Sequence, residues 1–251
     1  MSFLAPRLAY YATLESEIKA FQARYGKKVL LGLGGAGSNL GLGSDAESLN
    51  FANTLWALFG PPGLVNHDLQ PFGSATLDGF DLIRRPADAL RLARHAPARA
   101  LLHGREQGLL LSTAPSCSFP DPSTPLVYLL QANFVWVRFF NNAACEIGAD
   151  GFADALRSWS EALEPGVAPQ RDSSALRTRF FVGAPSWADA APAAYGALGA
   201  QLKGLAVLAQ QLKCAGFPNL GGLMLWDGPE GQQNVQGGLN ILAWAKRGLW
   251  C

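Results

Sequence analysis

Along the chain, short apolar runs rich in Val, Leu and Phe alternate with longer segments whose apolar positions recur every three or four residues. The first pattern is that of parallel strands buried on both faces, and the second that of helices with one apolar stripe. Six strands are predicted: KVLLGLGG (Lys28 to Gly35), ATLDGFDLI (Ala75 to Ile83), GLLLSTA (Gly108 to Ala114), FVWVRFF (Phe134 to Phe140), TRFFVGAP (Thr178 to Pro185) and GGLMLWD (Gly221 to Asp227). Leu14, Ile18 and Phe21 share a helical face before the first strand, and Leu49, Ala52, Leu55, Trp56 and Phe59 share one after it. Ser44 followed by Glu47 forms a capping box for that second helix. Phe152, Leu156, Trp159 and Leu163 stripe a third helix, while Leu198 to Leu212 and Leu239 to Trp244 predict two more. Helix and strand alternate throughout, without a low-complexity linker or a break in composition, so a single domain over residues 1–251 is expected.

A β/α chain of this kind is a doubly wound sheet or a (β/α)₈ barrel, and both bind ligands at the carboxyl ends of their strands. After the first strand, GLGGAG fits a dinucleotide fingerprint through Gly32, Gly34 and Gly37. These glycines fall partly inside the strand and no helix opens directly after them, which favours a close-packed strand end with a loop. Composition adds mainly exclusions: 251 residues, 49% hydrophobic, 16% charged and a net charge of +1 give no basis for an overall polyanion partner such as nucleic acid. The longest apolar runs are too short and interrupted to span a bilayer, and MSFLAPRLAYY lacks the pattern of a secretion signal. Cys117, Cys145, Cys214 and Cys251 are too dispersed for a zinc knuckle, and His67, His95 and His103 form no ligand spacing with them. Neither a metal nor a cofactor is expected.

The blocks KKVLLGLGGAG, LWALFGPP, PFGSATLDGFDL, LLLSTAPSCSFPD, FVWVRFFNNAAC, RFFVGAP and GGLMLWD are similar, in this order, to the strand-end blocks of class III, plant and fungal type, chitinases of glycoside hydrolase family 18. The resemblance runs from about Ile18 to Trp244. It implies a TIM-type barrel, α/β in class, with a chitin oligosaccharide groove across its top, in a secreted family. It also implies a fourth-strand motif D-G-x-D-x-D-x-E, of which Asp78, Gly79, Phe80 and Asp81 are present. Ile83 stands at the third acid, and Arg85 at the glutamate that protonates the glycosidic oxygen.

In the resembled family the sugar's own N-acetyl carbonyl attacks the anomeric carbon, the third Asp orients it, and the Glu serves as general acid and then base. A guanidinium stays charged near neutral pH and has no proton to give. Loss of a general acid alone costs about 10² to 10⁴ in rate. On the sixth family strand, Arg138 and Phe140 stand where Gln and Tyr are expected, so a hydroxyl that holds the N-acetyl oxygen is missing too. The resemblance implies substrate binding by Ala114, Phe140, Asn141, Met224, Trp226 and Asp227, with Trp226 as a stacking floor for a sugar ring; the plain alternative for Trp226 is a core or loop aromatic. Asp78 and Asp81 are expected in structural hydrogen bonding inside the barrel, with Arg85 pairing with Asp81 across the strand end. Relatives join the positions of Cys117 and Cys145 by a disulfide; two buried thiols are the alternative.

Relatives also have two β/α units before the first strand seen here, so about six of eight strands and an incomplete barrel are expected, with open parallel edges at Lys28 to Gly35 and Gly221 to Asp227. The segment from Arg84 to Glu106 carries six arginines and two histidines, beginning where the acidic motif fails. An amphipathic basic helix and a translated frameshift both fit it. Three readings follow: a catalytically silent chitinase-like barrel that binds chitin oligosaccharide; an interaction protein that docks on another glycosidase through an exposed Arg138 and the basic segment; and an endochitinase with a truncated or frameshifted gene.

Overall fold

The computed structural model describes residues 11–35, 44–61, 69–83, 109–124, 126–130, 132–164, 178–198 and 203–248. Six strands are hydrogen-bonded in chain order: β1 (Leu30–Gly34), β2 (Gly79–Ile83), β3 (Leu110–Thr113), β4 (Phe134–Arg138), β5 (Arg179–Pro185) and β6 (Leu220–Trp226). Five lie within one or two residues of their predicted runs; β2 starts at Gly79, four residues after the predicted Ala75. The pairs β1–β2, β4–β5 and β5–β6 are parallel, with helices in the connections, as in a TIM-type α/β barrel. By contacts the chain divides into two compact units, Met1–Ser112 and Thr113–Cys251.

In the first unit, helix α1 (Ala12–Tyr25) and helix α2 (Asp45–Phe59) cover one face of β1 and β2. Ser44 caps α2 as the sequence predicts, its hydroxyl accepting from the Glu47 N–H at 3.2 Å. Ile18 and Phe59 are buried with Ala75, Leu77, Phe80, Leu109 and Leu111, and Leu14 packs against them. Phe21 corrects the predicted stripe: it is 53% exposed. Residues four apart align on a helix, so the inward row continues from Leu14 and Ile18 to Gln22, whose amide reaches Thr76 O and Asp78. Gly79 is dictated by the neighbouring strand, because a Cβ there would overlap the Leu110 carbonyl.

In the second unit the two faces of the sheet differ. Val135, Val137, Phe180 and Val182 are fully buried in one cluster with Leu156, Trp159 and Leu163 of helix α4 (Phe152–Ala162) and its end. Each such side chain contributes about 1.5–3 kcal/mol on burial. The Trp159 indole donates to Cys117 O at 2.9 Å, and Phe119 meets its ring edge-on at 5.0 Å. On the opposite face Phe134, Trp136 and Phe181 form an aromatic cluster, with Trp136 and Phe181 centroids 4.4 Å apart.

Helix α3 (Leu126–Leu129) precedes β4. Two predicted helices are redrawn. Leu198 ends a short separate helix, α5 (Pro192–Ala197), and the longer α6 spans Lys203–Cys214. Leu239 belongs to a small antiparallel ribbon, β7 (Val235–Gln236) with β8 (Leu239–Asn240), and the last helix, α8 (Ile241–Gly248), starts after it. Gly237 and Gly238, with φ of 59° and 78°, supply the two left-handed residues that a two-residue hairpin turn needs. The Gly-Gly pair was the overlooked signal. Between β6 and this ribbon lies α7 (Gly228–Gln233).

Candidate functional site

At the strand carrying the acidic motif, alternation sends Phe80 into the helix-side core and leaves Asp81 on the other face of β2. Asp78, one residue before the strand, follows the Phe80 side. Its Oδ1 accepts from Lys28 Nζ at 2.7 Å, and its Oδ2 from Val29 N at 2.9 Å and Gln22 Nε2 at 2.8 Å. This corrects the expectation that Asp78 bonds inside the barrel: it ties the end of α1 to the starts of β1 and β2. Partial burial raises its carboxyl pKa, but the bonds from Lys28, Val29 and Gln22 outweigh that and hold it below the ordinary 3.8. Asp81 accepts from Ser112 Oγ at 2.5 Å, on the adjacent strand. The Ile83 side chain, Arg85 and the basic segment lie outside the described residues, as does any pairing of Arg85 with Asp81.

The second unit brings together the rest. In register, Arg138 lies beside Gly183 and Gly183 beside Met224, while Pro185 lies beside Trp226 one layer nearer the strand ends. These residues share the face of Trp136 and Phe181. An ideal Cβ at Gly183 would lie 2.6 Å from the Val137 carbonyl oxygen, a backbone atom that cannot give way, and 2.7 Å from Met224 Cε, so this position requires glycine. Trp226 closes the row, 51% exposed. Its peptide bond to Asp227 is cis. Asp227 caps α7 by accepting from Glu230 N at 3.1 Å, which commits one of its carboxylate oxygens.

Arg138 is a correction. Rather than exposed, it is half-buried, its backbone N–H bonds Pro115 O at 2.9 Å, and its Nε is buried without a partner among the described residues. Asn141 adopts φ 58° and its amide bonds Ala190 O at 3.0 Å, fastening the loop after β5. Phe140 is buried in the hydrophobic cluster, and Ala114 is half-buried immediately after β3. Cys117 and Cys145 are joined, so the disulfide implied by the resemblance is present. Asn142 escaped sequence reasoning: its amide donates to Ser116 Oγ at 3.2 Å and Ser118 Oγ at 2.9 Å. The doubled Asn after a strand, beside a cysteine pair, was its only signal. Among the described residues no cluster of three or more His, Cys, Asp or Glu has metal-binding proximity, and no helix is long and apolar enough to cross a membrane.

No protein-family model matches the chain. It is 34% identical over 230 residues to Endochitinase 3 of Metarhizium anisopliae, covering 90% of this chain and 72% of that protein. The chain belongs to the chitinases of glycoside hydrolase family 18. It is also 32% identical over 233 residues to Chitinase 3 of Candida albicans, where it spans 92% of its own length and 38% of the relative's. In three dimensions the family-18 chain is similar to a xylanase and α-amylase inhibitor protein from Scadoxus multiflorus, with 26% identity, 95% and 79% coverage of the two chains and a TM-score of 0.71. It is similar as well to a chitinase from Ipomoea carnea, with 28% identity, 86% and 73% coverage and a TM-score of 0.62. The solved structures to which the chain is similar thus include one named as an inhibitor and one named as a chitinase.

Proposed function

We propose that this family-18 chain is a single chitinase-like domain that holds N-acetylglucosamine oligosaccharides at its strand ends without hydrolysing them. The observation that carries this reading is the contrast between Ile83 and Arg85, at the positions of the motif's last two acids, and the half-exposed ring of Trp226. Stacking of a pyranose on an indole requires no acid. Cleavage does: Arg85 cannot protonate a glycosidic oxygen, and the sec-butyl side chain of Ile83 cannot orient an N-acetyl group by hydrogen bonding. Phe140 adds a ring with no hydroxyl. Ala114, Asn141, Met224 and Asp227 are assigned to the groove wall around Trp226. The Cys117–Cys145 bridge supports an oxidising, extracellular compartment.

Titration of the intact chain with chitohexaose, followed by tryptophan fluorescence and a reducing-end assay, tests this. Saturable binding with no new reducing ends is expected, and Trp226→Ala should weaken binding roughly ten-fold or more. Steady release of N-acetylglucosamine oligomers by the unaltered chain, or no binding at all, would overturn it. The likeness to the xylanase and α-amylase inhibitor favours a second reading as a glycosidase-binding protein. A fall in xylanase or amylase turnover on titration with the chain is its test; unchanged turnover removes it.

A further inference from the structure

Arg138 poses a question that the groove reading leaves open. Its Nε–H is buried and unpartnered among the described residues, and none of the described ion pairs includes its guanidinium. A charged donor left unsatisfied inside a fold is costly and points to a partner that arrives from outside. Two carboxylates of the loops flanking β4 are engaged elsewhere. Asp121 accepts from Ser116 N, Ser123 N, Ser123 Oγ and Thr124 Oγ1, and Glu146 accepts from Asn142 N. Asp227, at the end of β6, caps α7.

The surroundings set the shape of the site. Arg138 occupies the middle of three layers: below it are Trp136, Phe181 and Gly222, beside it Gly183 and Met224, above it Pro185 and Trp226. Gly183 contributes no side chain, and the nearest side-chain atom to its missing Cβ is the Met224 methyl at 2.7 Å, the end of a flexible group. Strand spacing of about 4.8 Å puts the Arg138 and Met224 backbones roughly 10 Å apart. A sugar ring stacked on Trp226 therefore sits on the same face as a planar cation.

Resting on the reading of this face as an oligosaccharide groove, we infer that Arg138 gives the groove a preference for acidic saccharides: an oxyanion on the sugar next to N-acetylglucosamine pairs with its guanidinium. A neutral hydroxyl satisfies one N–H; a carboxylate or sulfate also meets the charge and accepts two parallel hydrogen bonds from the fork. Glucuronate-containing oligomers and sulfate esters share this chemistry.

The test compares four hexasaccharides on the intact chain: chitohexaose, sulfated chitohexaose, a hyaluronan hexamer and its carboxyl-reduced form. The inference expects the hyaluronan hexamer to bind roughly ten-fold tighter than its reduced form. That advantage should shrink as salt is raised, because the pair is partly open to solvent. Arg138→Gln should bring the ratio of acidic to reduced ligand to about one, while Arg138→Lys keeps part of it, since charge remains without the planar fork. Circular dichroism and reduction-sensitive migration report whether each variant retains its fold and disulfide. A stronger sulfated ligand identifies the ester as the preferred source, and a stronger hyaluronan hexamer the carboxylate. If chitohexaose binds but neither anion improves on its neutral counterpart, or if Arg138→Gln leaves the ratio intact, the inference is overturned and the groove stands. If no oligosaccharide binds, both fall.

Discussion

The two units treat their polar groups at the sheet in opposite ways. In the first, Asp78 has three donors and Asp81 a short bond from Ser112, so both carboxylates are hydrogen-bonded within the scaffold. In the second, Trp226 projects half-exposed and Arg138 holds a buried, unpartnered Nε–H. Satisfied groups hold a fold together; a buried unsatisfied one calls for an explanation. The comparison teaches that acids beside a strand can serve the scaffold, while an unpartnered cation elsewhere on the sheet is left for other contacts.

The largest expected effect probes whether the second unit is a preformed wall. Trp159 is fully buried, bonded to Cys117 O and packed on Phe119, beside the disulfide that anchors the loop after β3. Trp159→Ala should cost about 3–5 kcal/mol in denaturant unfolding. Next comes reduction of Cys117–Cys145, which span 28 residues and should cost about 3–4 kcal/mol. If either change leaves stability unaltered, the wall is held by something else and the contrast between units weakens.

Asp78→Ala is the matching test in the first unit. It strips the acceptor from Val29 N, Gln22 and Lys28 at once, and should cost about 1–3 kcal/mol. Because the folded carboxyl titrates below its ordinary 3.8, its contribution is fully present above that value and is lost as pH falls through the lower, folded pKa. Asp78→Asn should therefore flatten the acid limb of a stability–pH curve. A variant as stable as the parent at neutral pH and equally acid-sensitive would show that the carboxylate is not structural.

Much of this was legible in the chain. Strand runs, the Ser44 cap and the Phe152–Leu163 stripe are local, period-based signals, and the fold kept them. The face of Asp78 was also in reach, since it shares parity with Phe80, a core residue. What the sequence did not carry was partnership across elements. Gln22 displaced Phe21 from the inward row because Thr76 and Asp78 lie opposite it, a fact of packing between segments more than 50 residues apart. Arg138 was mistaken for a surface charge because residue type alone favours exposure. Its position on the strand, alternating with Val135 and Val137, placed it on the opposite face with Trp136.

The smallest effect concerns the rim of the first unit. Glu15 accepts from Lys19 Nζ and Ser74 Oγ, each at 2.5 Å, in a surface network joining α1 to the turn before β2. The hydrogen bonds from Lys19 and Ser74 depress its pKa from 4.5 to about 2. A depressed carboxyl stabilises above its unfolded value, so this contribution is present above about 4.5 and fades as pH falls toward 2. Exposure and salt screen such a pair strongly, and one surface ion pair contributes little. Glu15→Gln should consequently leave neutral-pH stability nearly unchanged and remove only a shallow part of the acid slope, most visible at low ionic strength. Were Glu15→Gln to match Asp78→Ala in cost, the polar network of the first unit would be cooperative from rim to sheet, and Asp78 could no longer be treated as its separate anchor.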